Sequence, residues 1–266
     1  MKKSAIAYLL LILMLIPVSA MSTPPSNPLQ ALQAKVEMEL NSMDIDLSQL
    51  ARDLTGQALA APENNTTLFN LYNSHPSVID VVILDKEGTI LMVQPTKYQS
   101  AVGRNISDQE HFRQLQRMNN PVMSELFKTV EDFHAVSLAY PIMASDNLET
   151  IGYLSLVFQP QALVRRAVEQ AGIDTKTVEI MALQENGRII YDKDIMQVGN
   201  MTFSAPAYKD YPSLLELAKR IVNNDSGTGT YDFPTLGGKQ AVQKEAAWTT
   251  VGLHGTEWRL VIAREI

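Results

Sequence analysis

The chain has 266 residues and carries 22 Lys and Arg against 29 Asp and Glu, a formal net charge of −7. An acidic chain without basic clusters excludes nucleic acid and anionic lipid as partners, because both select for clustered positive charge. Cysteine is absent, which removes disulfide staples, thiolate metal sites, thiol catalysis and a lipid-modified N-terminal cysteine.

Lys2 and Lys3 precede an apolar run from Ala5 to Ile16, followed by Pro17-Val18-Ser19-Ala20. A charged start, an apolar stretch short of a comfortable membrane span and small residues at a cleavage site read as a signal peptide over residues 1–20. On that reading the mature protein is secreted, periplasmic or at the cell surface. An uncleaved segment would instead anchor it outside the cell. Without Lys2 and Lys3, 20 basic side chains face 29 acidic ones, a net charge of −9. Residues 21–28 hold Pro24, Pro25 and Ser26 without periodicity and read as an exposed tether.

From Leu29 apolar residues recur at Leu32, Val36, Leu40, Met43, Leu47, Leu50 and Leu54, by threes and fours. That is one stripe on a long helix expected over 29–62, ending near Ala61-Pro62. Two partners for the stripe stand open: the downstream modules of the same chain, or a second copy in a homodimer.

Residues 63–172 read as a first module: strands 78–84 and 89–93 about a tight turn, a loop to Asn105, and a helix over 108–118. Strands near 121–127, 134–143 and 150–158 follow, then a connecting helix from Leu163 to Ala171 stopped by Gly172. Residues 173–266 read as a second module, with strands 177–184 and 188–192 and a helix at 212–223. A Gly-rich turn at 227–229 and strands near 239–248 and 256–263 close it. The two modules repeat one another. Ile83-Leu84-Asp85-Lys86-Glu87-Gly88-Thr89-Ile90-Leu91 returns as Ala182-Leu183-Gln184-Glu185-Asn186-Gly187-Arg188-Ile189-Ile190, and Val102-Gly103-Arg104-Asn105 returns as Val198-Gly199-Asn200-Met201. The expected fold class is α+β, a long N-terminal helix followed by two tandem modules with antiparallel sheets.

The chemistry-bearing residues give little to an enzyme. His75, His111, His134 and His254 show no His-x-x-x-His spacing, and no Gly-x-Ser-x-Gly elbow occurs. Gly227-Thr228-Gly229 lacks the lysine and following helix of a phosphate loop. No catalysis, metal or cofactor is expected.

The order of these pieces resembles the double Cache family, extracellular sensor domains in which two PAS-like modules hang on one long N-terminal helix. Val81 to Gly88, Val102 to Asp108 leading into His111-Phe112, Ala135 to Ile142, and Ile151 to Leu156 carry the resemblance, which covers nearly the whole mature chain. It implies a small extracellular molecule held in the membrane-distal module, here the first, between sheet and helix, with the proximal module as spacer. Members that recognise amino acids carry Arg-x-Trp-Tyr on that helix. Aligned on the following Phe, Gln109 stands for the Arg and His111 for the Trp, and the usual acidic position of the last strand falls on Val157. The resemblance therefore implies a small neutral or carboxylated organic molecule, not a standard amino acid, held by an amide and an imidazole.

The residues expected at the ligand are Gln109, His111 and Phe112 on the helix, Arg104 before it, Glu125 and Phe127 on the next strand, and Tyr140 and Tyr153 on central strands. Plainer roles compete: His111 as a satisfied core residue, Arg104 as part of a solvated turn, the two tyrosines as buried aromatics. Ser107 with Glu110 also fits a helix capping box, with Asp108 at the positive helix end. Most relatives continue through a membrane into an output domain, whereas this chain stops at Ile266. The expectation is a binding component that serves a membrane receptor or transporter. The rival is a structural or dimerisation module with no ligand.

Overall fold

A computed structural model describes residues 27–129, 133–146, 149–235, 238 and 240–266. The expected signal segment and nearly all of the tether lie outside the described residues.

Asn27 caps the first helix, α1 (Pro28–Asp53), by accepting the Leu29 amide at 3.0 Å. Pro28 then occupies the first turn, where its missing N–H costs nothing. The helix stops well short of Pro62, at a turn where Gly56 has φ +69 and donates to the Met143 carbonyl. A helix that the sequence reading did not anticipate, α2 (Glu63–Ser74), follows. Its sequence is polar, and what orders it is burial of Leu68 and Leu71 together with the Asn64 amide, which donates to the Ala58 and Leu59 carbonyls.

The first sheet contains β1 (Val78–Asp85), β2 (Ile90–Gln94), β3 (Val122–Met123), β5 (His134–Met143) and β6 (Thr150–Phe158), in the antiparallel order β2-β1-β6-β5-β3. The short β4 (Phe127–Lys128) pairs with β5, and α3 (Glu110–Met118) lies before β3 in sequence. The stretch expected as one strand over 121–127 is broken between β3 and β4, where the Leu126 amide turns to the Gln184 side chain of the second module. After α4 (Pro160–Gln170), the second sheet comprises β7 (Glu179–Gln184), β8 (Ile189–Asp192), β9 (Gly227–Pro234), β10 (Ala241–Leu253) and β11 (Thr256–Glu265). Its order is β8-β7-β11-β10-β9, again antiparallel, with α5 (Pro212–Val222) between β8 and β9 in sequence. Gly227 and Gly229, read from sequence as a turn, lie in β9, where the missing side chain of Gly227 lets the strand pass against the Trp248 ring.

The architecture is thus α+β, a long helix and two antiparallel sheets, as the sequence implied. The stripe on α1 is buried throughout, with Leu32, Val36, Met43 and Leu47 fully inaccessible. It lies along β5 and β6 of the first sheet, α4, and β10 and β11 of the second. Of its two candidate partners, the modules of the same chain take the stripe. One apolar core therefore runs through both halves and includes Phe158 beside Trp258, whose ring centroids are 6.3 Å apart.

The repeat holds down to single hydrogen bonds. The Ile106 amide reaches the Gly88 carbonyl as the Thr202 amide reaches that of Gly187. Gly88 and Gly187 sit at φ +88 and +82, a backbone region open to glycine and strained for other residues. Gly103 donates to Ile90 as Gly199 donates to Ile189. Each first hairpin also carries a register shift at the matching place, between Ile83 and Leu84 and between Ala182 and Leu183.

Candidate functional site

A cavity of about 500 Å³ opens between the first sheet and α3, within the usual size of small-molecule sites. Strand alternation builds its floor: Asp80 and Val82 of β1 and Ser155 and Val157 of β6 face it, while Val81, Ile83, Leu154 and Leu156 turn to the core beneath α1. Helix spacing builds its roof, because His111 and Gln114 lie three residues apart on one face, with Phe112 and Leu115 on another. Residues 124–129 form one wall, and Arg104 and Gln109 stand at the exposed rim.

His111 stacks on Phe127, ring centroids 4.7 Å apart and planes inclined by 23°. Burial without an acidic partner pushes its pKa down to about 4, so the imidazole is neutral at ordinary pH, with one donor and one acceptor nitrogen. Glu125 lies at the exposed rim, where desolvation raises its carboxyl above the usual range against the pull of Arg188 and a hydrogen bond from the Asn186 side chain, 3.0 Å away. Deeper in, the Ser155 and Ser137 hydroxyls are 2.8 Å apart, and the Ser124 hydroxyl accepts the Ser137 amide at 2.9 Å.

Of the residues named from sequence, Arg104, Gln109, His111, Glu125 and Phe127 line this cavity. Three do not. Tyr140 pairs in register with Leu154 and so faces α1, where its hydroxyl donates to Asp44 at 2.7 Å. Asp44 also meets His254 at 2.7 Å, so one carboxylate joins α1, the first sheet and the tip of the β10–β11 hairpin. Tyr153 shares the parity of Ser155 and Val157 but packs edge-on against Phe112, 5.2 Å between centroids, and both belong to the closed packing beneath α3. The expected capping box is also absent. Helix α3 begins at Glu110 after Gln109, without a side-chain cap, and Glu110 instead binds Arg117 at 2.9 Å.

Several lining residues escaped the sequence reading, among them Gln114, Ser124, Ser155 and Asp80. Asp80 faces the cavity directly across the strand pair from Val157. Its signal in the sequence was a single carboxylate inside the apolar run Val78-Ile79-Asp80-Val81-Val82-Ile83.

The wall of the cavity is tied to the second module. Besides the Asn186 and Gln184 contacts, the Thr256 hydroxyl donates to the Met123 carbonyl. Among the described residues no cluster of three or more His, Cys, Asp or Glu is placed to hold a metal ion. Nor is any helix among them long and apolar enough to cross a membrane.

Residues 38–160 match the family described as HK/GC/Chemotaxis protein-like, sensor domain. No curated protein matches the chain. Among solved structures it is similar to an extracellular ligand binding receptor from Desulfohalobium retbaense DSM5692, 26% identical with a TM-score of 0.73. That match covers 89% of this chain and 39% of the receptor, so the chain spans well under half of that relative. The ligand binding domain of the Pseudomonas aeruginosa PAO1 amino acid chemoreceptor PctB, in complex with L-Gln, is 15% identical with a TM-score of 0.63, covering 90% and 88% of the two chains. The corresponding domain of PctC from the same organism, in complex with GABA, is 13% identical with a TM-score of 0.60, covering 88% and 96%. At 15% and 13% identity these likenesses establish the fold.

Proposed function

We propose that this chain, a sensor module of the Cache type, captures a small organic molecule outside the cytoplasm in the cavity beneath α3. The observation that carries this reading is the cavity itself: about 500 Å³, roofed by a neutral imidazole and floored by a carboxylate and a serine. A side chain in that state can accept or donate one hydrogen bond without a charge penalty, which suits selection among small polar molecules.

The ligand in this reading is polar at both ends. Asp80 and Ser155 favour a hydrogen-bond donor at the floor, while Arg104 at the rim favours a carboxylate. Gln109 at the start of α3 supplies an amide in place of a guanidinium fork. Arg104 is the one guanidinium among the described residues of the lining, so in this reading the carboxylate end of the ligand lies at the rim and its other end meets Gln109 or the floor. The ligand-bound state is read by a membrane receptor or transporter through the second module, a role supported by the hydrogen bonds that Asn186 and Thr256 donate to the cavity wall and that Gln184 accepts from it.

The test is a thermal-shift screen against neutral, carboxylated and amino-acid metabolites, since a binder gains stability with ligand concentration. Hits are expected among hydroxylated or carboxylated molecules and are expected to be lost in Val157→Trp, which fills the cavity. A screen without any concentration-dependent shift would favour a structural module.

A further inference from the structure

The second module has a cavity of its own, about 370 Å³, in the place that matches the first: between its sheet and α5, the helix standing where α3 stands. Its lining follows the repeat. Glu179 and Met181 of β7 take the part of Asp80 and Val82 of β1, and the Thr202 amide bonds to Gly187 as the Ile106 amide bonds to Gly88. A packed spacer has no need of such a space.

The walls are aromatic. Tyr208 and Tyr211 pack on Phe233 with centroids 5.8 and 4.8 Å apart, and Tyr231 stands beside them. The polar groups are largely satisfied, with instructive exceptions. Lys244, almost fully buried, holds both carboxylate oxygens of Glu179 at 2.7 Å, so that pair is neutral. Asp194 accepts the Met196 amide and the Gln197 side chain, and Lys193 donates outward to the Thr175 carbonyl. Asp192 accepts only the Asp194 amide, on Oδ1; its Oδ2 has no hydrogen-bond partner among the described residues. Thr202, 94% buried by its 6% exposure, has a hydroxyl with no partner among the described residues. The Tyr231 hydroxyl likewise bonds to none of them.

The geometry points to a second binding site, between the second sheet and α5, that takes a small organic cation: a protonated amine whose ammonium meets Asp192 and whose carbon body lies against the tyrosines. The ammonium brings donors for Asp192 Oδ2, Thr202 and Tyr231, and the ring faces favour a cation over an anion of the same shape. Desolvation already pushes the Asp192 carboxyl up to about 6, with Asp194 and Glu179 adding to the rise and the Asp194 amide and Lys244 opposing it only in part, so this corner is short of positive charge. A neutral molecule would leave that deficit in place. An anion would deepen it.

Methyl-resolved NMR titration of the intact chain with butylamine, butanol and butyrate tests this, because the three share a shape and differ in charge. Butylamine is expected to shift the methyls of Leu183, Ile189 and Leu217 saturably, with butanol and butyrate weaker by about tenfold or more. Asp192→Asn, of the same shape, is expected to lower butylamine affinity by about tenfold and leave that of butanol unchanged. Equal affinity for the three, no saturable shift, an undiminished amine affinity in Asp192→Asn, or shifts confined to methyls of the first module would each overturn the assignment. The three-ligand comparison needs no variant and stands whatever the variant does. It probes the second cavity alone, so its outcome is separable from that of the first.

Discussion

Replacing Asp192 by Asn should stabilise the protein at neutral pH and have almost no effect in acid. Burial sets the folded-state pKa of Asp192 at about 6, against 3.8 for an unperturbed carboxyl. Between those values the native state binds the extra proton, so stability attributable to this group falls as pH rises. A shift of about 2 units at about 1.4 kcal/mol each corresponds to about 3 kcal/mol lost by pH 7. Asn carries no charge and does not lose it. His111 has the opposite slope: its folded pKa of about 4 lies below the ordinary 6.5, the unfolded chain binds the proton in between, and stability falls as pH drops through that window. The two slopes offset one another in the wild type. Urea denaturation at steps from pH 4 to 7 should therefore show Asp192→Asn gaining on the wild type by about 3 kcal/mol across the range, while His111→Gln shows a difference of the reverse slope. A difference curve for Asp192→Asn that is flat from pH 4 to 7 would refute the claim that this carboxyl is desolvated and unpaired.

Leu40 is 1% exposed at the middle of the α1 stripe, against both halves of the core. Leu40→Ala should cost about 2–5 kcal/mol, and circular dichroism should still show a single unfolding transition because both sheets lose the same support. For the first cavity, His111→Ala should weaken binding of any thermal-shift hit by about tenfold in calorimetry with the fold intact; an unchanged affinity would move the contact elsewhere.

The helix stripe was fully legible in the sequence because a 3.6-residue period survives any tertiary context that buries one face. Its end was not, since Ala58, Ala60 and Ala61 read as helix while Gly56 at φ +69 ends it. The duplicated hairpins were legible because glycine is required where φ is positive, and Gly88 and Gly187 announce the same turn twice. Rim residues of the cavity were reached through family resemblance, whereas its floor needed strand parity. Tyr140 belongs with Val136, Leu138 and Ile142 on the face toward α1, and counting by two along β5 would have removed it from the site. Asp80 required knowing which strand lies beside Val157, a long-range pairing that local sequence does not encode. The second cavity was passed over because its polar groups are scattered over β8, the following loop and β9, which only the fold brings together.

The central claim is that the space beneath α3 holds a small molecule. Native mass spectrometry of protein purified without exhaustive dialysis addresses it directly. The account predicts a bound species of metabolite mass on the wild type, released on denaturation and absent from Val157→Trp. Wild-type protein at its bare sequence mass, unmoved by any compound in the screen, would contradict it.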